Sequence, residues 1–138
     1  IHLCGKGKMD ESLSGTKGYC QFEYIKNELR DIFALADVVI SRAGANAICE
    51  LLALRKPNLL IPLSAKASRG DQILNARSFE RQGFSLVIEE EELTTQALID
   101  SVHRLYTDKG SFIDAMRNSR QQDSINTIIG LIEEVSNQ

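Results

Sequence analysis

The sequence predicts an α/β fold, a parallel sheet with helices on both faces. Short apolar runs of the kind found in buried strands recur along the chain, and amphipathic helical stretches separate them. Parallel strands are connected by helices that cover their sheet, so this alternation favours a parallel sheet over hairpins. The 138 residues suit one domain, residues 1–138, that buries a core without metal or disulfide staples.

Five short runs are assigned to strands because they are rich in β-branched, aromatic or aliphatic residues and end at turn-forming residues. They lie at residues 1–3, 19–25, 37–41, 58–62 and 84–88. After the first strand, Gly5-Lys6-Gly7 breaks the chain into a loop. Residues 8–17 are predicted as a loop or a short helix, and residues 64–70 as a polar loop.

The stretches assigned to helices carry apolar residues at helical spacing. They lie at residues 27–36, 46–55, 71–82, 95–107 and 111–138, the last with a break near Asp123. Asn27 and Thr94 or Thr95 are predicted N-caps, and Gly83 is a predicted C-terminal cap. The side chains predicted to face the core on the second and third helices are Ile48, Leu51, Leu52, Ile73, Leu74, and Ala76 or Phe79.

Composition argues against several classes of function. The net charge of −3, with scattered Lys and Arg, is not typical of a nucleic-acid binder or a polybasic membrane patch. No apolar run approaches the roughly 18–20 residues that span a bilayer, and there is no signal-peptide pattern. Cys4, Cys20 and Cys49 form no zinc or disulfide pattern and are predicted to be reduced thiols of a cytosolic protein. His2 and His103 are too far apart in sequence to suggest a metal site.

The first candidate site is the small-residue turn 41–46, between a predicted strand and a predicted helix. Ligands of open α/β sheets bind at the carboxyl ends of the strands, and free amides at a helix start attract anions. Gly44 and its alanine neighbours would let a phosphate approach the backbone, although the Walker pattern is absent. The alternative is a tight turn whose small residues serve packing only.

Acidic and amide side chains near two helix starts are further candidates. Glu50, about one turn into the helix after that turn, can accept hydrogen bonds from both hydroxyls of a ribose. The alternative is a glutamate that the helix dipole stabilises. Asp71 and Gln72, with Asn75 one turn later, can hold sugar hydroxyls through acceptors and donors together. The alternative is an N-cap at Asp71 and an exposed Gln72.

Other features carry weaker hypotheses. Lys6 in the glycine loop could meet a phosphate, but a frayed terminus is the simpler interpretation. The four glutamates 89–92 are predicted as a solvated loop, because carboxylates in a row do not converge on one ion. Cys49 has no histidine near it in sequence and is predicted to be buried on its helix.

Together these segments resemble the C-terminal domain of the MurG family of bacterial glycosyltransferases. The resemblance covers nearly the whole chain. It rests above all on the turn Ser-Arg-Ala-Gly-Ala at 41–45 combined with Asp-Gln-x-x-Asn-Ala at 71–76. The other matching segments are His-x-x-Gly-Lys-Gly at 2–7, Glu-Tyr-Ile at 23–25, Glu50 and the apolar strand 59–63.

The resemblance implies the C-terminal, Rossmann-like half of the two-domain GT-B architecture, with UDP-N-acetylglucosamine as donor. The reaction would be an inverting transfer to a lipid-linked muramyl-pentapeptide in cytoplasmic peptidoglycan synthesis, on which cell shape and division depend. No metal or other cofactor is implied. The implied contacts are uracil with the backbone of Ile25; diphosphate with amides at Gly44, Ala45, Asn46 and Ala47; ribose with Glu50; and N-acetylglucosamine with Asp71 and Gln72.

The chain also departs from the family pattern. Asn46 and Cys49 are not the family's usual residues, and the loop 64–70 lacks the usual histidine. These residues do not include the family's first strand-helix unit, with its Gly-Gly-Ser-x-Gly turn, or its acceptor-binding N-terminal domain. The resemblance therefore implies that no catalytic residue lies in this fragment. We therefore expect a partial donor domain, inactive alone, that self-associates through exposed sheet edges. In the full-length protein it would lie at the inner face of the cell membrane.

Two alternatives share the fold. One is a UDP-N-acetylglucosamine 2-epimerase, which carries acidic and Arg-Pro-Glu motifs where this chain has residues 64–70. The other is the donor-binding subunit of another UDP-sugar glycosyltransferase, paired with a separate acceptor subunit as in dolichol-linked sugar synthesis.

Overall fold

Parallel strands alternate with helices along the chain, as the sequence predicts. The computed structural model of the protein describes residues 1–119. These residues divide into two compact units, Ile1–Ala36 and a second that begins at Asp37. Because the description ends at residue 119, the predicted helix 111–138 is described only at its start. Its expected break near Asp123 lies outside the described residues.

The first unit contains a two-stranded parallel sheet, a 3₁₀ turn at Glu11–Leu13 within the segment predicted as a loop or short helix, and one α-helix. Strand β1, His2–Leu3, pairs with β2, Gln21–Phe22, so the predicted strand 19–25 is paired over two residues only. Helix α1 spans Leu29–Leu35. Its N-cap is Glu28 and has no side-chain cap hydrogen bond, so the predicted cap at Asn27 is wrong.

The second unit contains a three-stranded parallel sheet in the order β3-β4-β5. Its strands are β3, Val39–Ser41; β4, Asn58–Leu60; and β5, Ser85–Val87. The described helices of this unit are α2, Ala45–Ala53; α3, Ala65–Ser68; α4, Asp71–Arg81; α5, Thr95–Thr107; and α6, Lys109–Arg117. Most lie within two residues of the predicted bounds, but α3 is a helical turn inside the segment predicted as a loop.

Local capping signals account for two of the helix ends. The hydroxyl of Thr94 accepts a hydrogen bond from the amide of Ala97 over 3.1 Å, which confirms one of the predicted N-caps of α5. Gly83, with φ 74°, follows α4, and the amide of Phe84 donates to the carbonyl of Phe79. That bond is the signature of a glycine-terminated helix, so the predicted C-terminal cap is confirmed.

The core of the second unit lies between its sheet and the helices. The predicted inward residues Ile48, Leu51 and Leu52 of α2 are buried. The other fully or nearly buried apolar side chains include Leu59, Leu60, Ala76, Phe79, Phe84, Leu105 and Met116. Leu74 was expected to face inward, yet 71% of it is exposed, because the buried stripe of α4 runs through Ala76 and Phe79 instead.

A buried polar pair joins β4 to β5. Asn58 and Ser85 are opposite each other in the strand register, and both are buried. The hydroxyl of Ser85 donates to the side-chain oxygen of Asn58 over 2.6 Å, and the Asn58 amide group donates to the carbonyl of Lys56. Since a shifted register would leave these groups unpaired in the core, the pair helps to fix the alignment of the two strands.

Through residue 119, none of the helices is both long enough and apolar enough to cross a membrane.

Candidate functional site

The carboxyl ends of the three strands of the second unit meet at one edge of the sheet. Ser41 of β3 is in register with Leu60 of β4, and Leu60 is in register with Val87 of β5. The segments that follow these strands therefore start side by side. In open α/β sheets this is the edge where ligands bind.

The predicted anion-binding turn lies at this edge, between β3 and α2. Gly44 is the N-cap of α2, and the helix begins at Ala45, one residue earlier than predicted. The amides of Ala45, Asn46 and Ala47 belong to the first turn, where no earlier helical carbonyl is available to accept from them. They are free to donate to an anion, which the positive end of the helix dipole also favours.

Gly44 contributes to this turn by lacking a side chain, and not by adopting a backbone conformation that only glycine allows. Its φ of −67° is accessible to any residue. Apart from its two chain neighbours, no atom of residues 1–119 would lie within 4 Å of a Cβ built on Gly44. Protein atoms thus leave the surroundings of Gly44 open, as a close approach of a phosphate to this backbone requires.

Glu50 lies on α2, one turn beyond these amides, and is exposed. Its carboxylate has no hydrogen-bond or ion-pair partner within the part of the chain that the structure describes, so both oxygens can accept from a ligand. The neighbouring Cys49 is exposed and not buried as predicted, because it lies off the buried stripe formed by Ile48, Leu51 and Leu52.

The second cluster of predicted residues opens α4. The N-cap of α4 is Gly70, which has φ 87° and provides no side-chain cap. Asp71 is therefore the first helical residue, exposed and not engaged as an N-cap. Gln72 is half-buried, and its side-chain oxygen accepts a hydrogen bond from the amide of Leu63 over 3.1 Å. The structural alternatives for both residues, an N-cap at Asp71 and an exposed Gln72, are wrong.

Asn75 connects the two parts of the site. Its side-chain amide donates to the carbonyl of Ala43 over 3.1 Å, and helices α2 and α4 pack against each other. The anion-binding turn and the start of α4 are thus brought together at one edge of the sheet.

A further set of contacts at this edge is not evident from the sequence. The guanidinium of Arg42 lies 2.7 Å from one oxygen of Glu90 and donates to the carbonyl of Ile61 over 3.1 Å. The other oxygen of Glu90 accepts from the amide of Ser64 over 3.0 Å. The hydrogen bond from Ser64, and then that from Arg42, lowers the pKa of the Glu90 carboxyl below its usual value.

The glutamate run 89–92 is thus not simply the solvated loop that was predicted. Glu89 accepts from Arg77 over 2.6 Å. The hydrogen bond from Arg77 to Glu80, and then that to Glu89, raises the pKa of Arg77. Glu90 binds Arg42, whereas Glu91 and Glu92 are exposed. Across residues 1–119 no cluster of His, Cys, Asp or Glu has the arrangement of a metal site. The three cysteines are free.

Ile25 lies in the first unit, between β2 and α1, and is half-buried. The structure brings the other predicted residues together around α2 and the start of α4, whereas the role of Ile25 stays a prediction.

The fold and this edge define a class: a parallel α/β domain with free amides at a helix start and, within residues 1–119, unpaired acidic groups beside it. The chain matches the family described as "Glycosyltransferase family 28 C-terminal domain" over residues 1–129. It belongs to that family, as the sequence resemblance indicates.

Relatives over nearly the whole chain carry the same name. A protein of Lachnoclostridium phytofermentans is 65% identical over 98% of this chain, and one of Lachnospira eligens is 62% identical over 99%. A protein of Geobacillus thermodenitrificans is 58% identical over 96%. Each is named UDP-N-acetylglucosamine–N-acetylmuramyl-(pentapeptide) pyrophosphoryl-undecaprenol N-acetylglucosamine transferase. The chain spans about 38% of the length of these relatives.

Proposed function

We propose that this chain binds UDP-N-acetylglucosamine as the donor half of an inverting glycosyltransferase. The observation that carries the proposal is the start of α2, where unpaired amides, the open side of Gly44 and the unpaired carboxylate of Glu50 follow one another within two helical turns. This sequence of groups matches a nucleoside diphosphate, in which a ribose adjoins two phosphates. The family and the names of the relatives support the same donor.

In this proposal the amides of Ala45, Asn46 and Ala47, with the backbone at Gly44, hold the diphosphate. Glu50 accepts hydrogen bonds from both ribose hydroxyls. The backbone of Ile25 contacts the uracil, a role that rests on the family resemblance alone.

Asp71 and Gln72 have complementary parts at the sugar. Because the oxygen of Gln72 already accepts from the amide of Leu63, its NH₂ group is what remains to donate to a sugar hydroxyl. Asp71 is unpaired within residues 1–119 and can accept from a hydroxyl. Together they offer a donor and an acceptor to one sugar.

The reaction we propose is a displacement at the anomeric carbon. The acceptor oxygen forms a bond to that carbon, the bond to the diphosphate oxygen breaks, and UDP leaves with the electron pair. A base of the acceptor-binding half receives the hydroxyl proton. The amides of α2 stabilise the charge that develops on the diphosphate, so the proposal requires no divalent metal or other cofactor. Chelation with EDTA should leave donor binding unchanged.

The acceptor we propose is the lipid-linked muramyl-pentapeptide, held by a separate acceptor-binding half. The relatives are named for such an acceptor, and this chain corresponds to about 38% of their length. The 138 residues alone should then bind donor and transfer nothing. The complete enzyme would act in the cytoplasm at the inner face of the membrane, without a nucleic-acid partner.

Calorimetric titration with UDP-N-acetylglucosamine, UDP and ADP tests the proposal. We expect binding of the two uridine ligands and none of ADP. Equal binding of ADP, or no binding of either uridine ligand, would contradict it. The isomerase alternative is not favoured, because the relatives that match nearly the whole chain are named transferases.

A further inference from the structure

The carboxylate of Glu90 joins segments that follow three different strands. Arg42 follows β3, Ser64 lies beyond β4, and Glu90 lies beyond β5. One oxygen of Glu90 is 2.7 Å from the Arg42 guanidinium, and the other accepts from the Ser64 amide over 3.0 Å. We call this arrangement the Glu90 bridge. It is not part of the ligand contacts proposed so far.

The Glu90 bridge contributes little to the stability of the fold. The side chain of Arg42 is 50% exposed and that of Glu90 is 32% exposed. Ion pairs this accessible to water are weak, because water screens the charges and ordering long side chains costs entropy. The effect of such a contact is to fix the relative positions of the segments that it joins, here those of Arg42 and Ser64.

The two partners of Glu90 lie beside residues that, in the proposed function, contact the ligand. Arg42 lies two residues before Gly44, in the turn at the diphosphate. Ser64 follows Leu63, whose amide holds the side-chain oxygen of Gln72. Two consecutive amides of this loop are thus held, one by Glu90 and one by the proposed sugar contact Gln72.

Two backbone carbonyls of the segment 61–64 also accept hydrogen bonds from side chains. The hydroxyl of Ser68 donates to the carbonyl of Leu63 over 3.1 Å, and Arg42 donates to the carbonyl of Ile61. Removing Glu90 would free the Ser64 amide and one side of Arg42 together, and no other described side chain binds both groups.

We propose that Glu90 is a positioning residue. It fixes the segment 61–64, whose Leu63 amide holds the side chain of Gln72, relative to the diphosphate turn, and so determines the preference for the sugar-bearing nucleotide over UDP. This inference rests on the proposed function. Glu90 touches no ligand in this account; it acts through Ser64 and Arg42.

The test is calorimetric titration of the chain and its Glu90→Gln and Glu90→Ala variants with UDP and with UDP-N-acetylglucosamine. Glu90→Gln keeps an acceptor for Ser64 but loses the charge that binds Arg42. Glu90→Ala loses both contacts. The matched controls are Glu92→Gln and Glu92→Ala, which change an exposed glutamate of the same run.

For Glu90→Ala we expect the Kd of UDP-N-acetylglucosamine to rise about tenfold, the equivalent of one lost charge-assisted hydrogen bond. The Kd of UDP should change much less, and Glu90→Gln should give an intermediate effect. Thermal unfolding should be close to that of the unaltered chain, which separates positioning from a loss of fold.

An unchanged ratio of the two Kd values in Glu90→Ala would overturn the inference, as would an equal change in the Glu92 variants. Failure of the unaltered chain to bind either ligand would instead contradict the proposed function. The two failures are therefore distinguishable.

Discussion

The side-chain amide of Asn75 donates a hydrogen bond to the backbone carbonyl of Ala43 over 3.1 Å. This contact joins helix α4 to the turn that opens helix α2, although the two residues are 32 positions apart. It orients the peptide that immediately precedes Gly44, and with it the amides proposed to hold the diphosphate.

Replacing Asn75 by alanine should therefore weaken the binding of UDP as well as that of UDP-N-acetylglucosamine. The lost hydrogen bond should also lower the free energy of unfolding by about 1 kcal/mol. Titration calorimetry and urea unfolding measure the two effects. A matched control is Gln82→Ala, which removes an amide that donates only to Ser78 at the far end of the same helix. Unaltered UDP affinity in Asn75→Ala would show that the turn holds its shape without this contact.

Gly44→Ala should weaken the binding of UDP without changing the stability of the fold. The backbone at Gly44 suits alanine, and within the described part of the chain a Cβ there meets no atom within 4 Å other than those of its neighbours in sequence. Alanine is a poorer N-cap than glycine, but it lowers the entropy of the unfolded chain, and these effects of about 0.5–1 kcal/mol oppose each other.

The added methyl group would, however, occupy the space proposed for a phosphate. We expect an almost unchanged melting temperature and a loss of UDP affinity of about tenfold or more, since overpacking costs on the order of 1–3 kcal/mol. Equal UDP affinity of the variant and the unaltered chain would place the diphosphate elsewhere.

Much of the fold is predictable because its signals are local. The cap at Thr94, the terminating Gly83 and the buried stripe Ile48, Leu51 and Leu52 each depend on residues within one or two helical turns. The turn around Gly44 and the acidic Glu50 could likewise be proposed from the sequence, since a strand, small residues and a helix follow one another there.

What the sequence did not reveal depends on contacts between distant segments. The pairing of Arg42 with Glu90 joins residues that follow different strands, and nothing in a run of four glutamates distinguishes the second from the others. Leu74 and Cys49 were misplaced because each lies next to a buried stripe, where a shift of one residue turns a side chain by about 100° to another face. Asn27 is a favourable N-cap residue by type, but α1 begins one residue later, with Glu28 as its N-cap.

The ion pair between Asp37 and Lys109 should make stability depend on pH at both extremes. Lys109 donates to Asp37 over 2.7 Å and lies 4.6 Å from the ring centre of Tyr106. The hydrogen bond from Lys109 lowers the pKa of Asp37, so its stabilising contribution is present above the usual aspartate pKa and is lost as the pH falls through the lower folded value. The same contact raises the pKa of Lys109, whose contribution is lost only as the pH rises through that raised value.

Asp37→Asn should thus destabilise the protein between about pH 5 and 9 and have a much smaller effect near pH 2, where the unaltered aspartate is protonated too. Urea unfolding of Asp37→Asn, Lys109→Met and the double variant across this range measures the coupling. Equal destabilisation by Asp37→Asn at pH 2 and pH 7 would contradict the assignment of the effect to charge.

Self-association is a separate expectation. Among the described strands, β3 pairs with β4 on one side only, and its Ile40 is 49% exposed. Unpaired strand edges favour pairing with another chain, and a lysine at such an edge opposes it. Light scattering should show a mass that rises with concentration, less so for Ile40→Lys. A monomer at high concentration would refute this expectation.

The central claim is that Glu50 binds the ribose of a uridine nucleotide, and a two-ligand titration tests it most directly. UDP and 2′-deoxy-UDP would be titrated into the unaltered chain and Glu50→Ala, with Glu92→Ala as control. We predict that Glu50→Ala weakens UDP binding by about 10- to 100-fold, as expected for hydrogen bonds to a charged group, and weakens 2′-deoxy-UDP binding clearly less. Equal losses for the two ligands, or no loss for UDP, would contradict the claim.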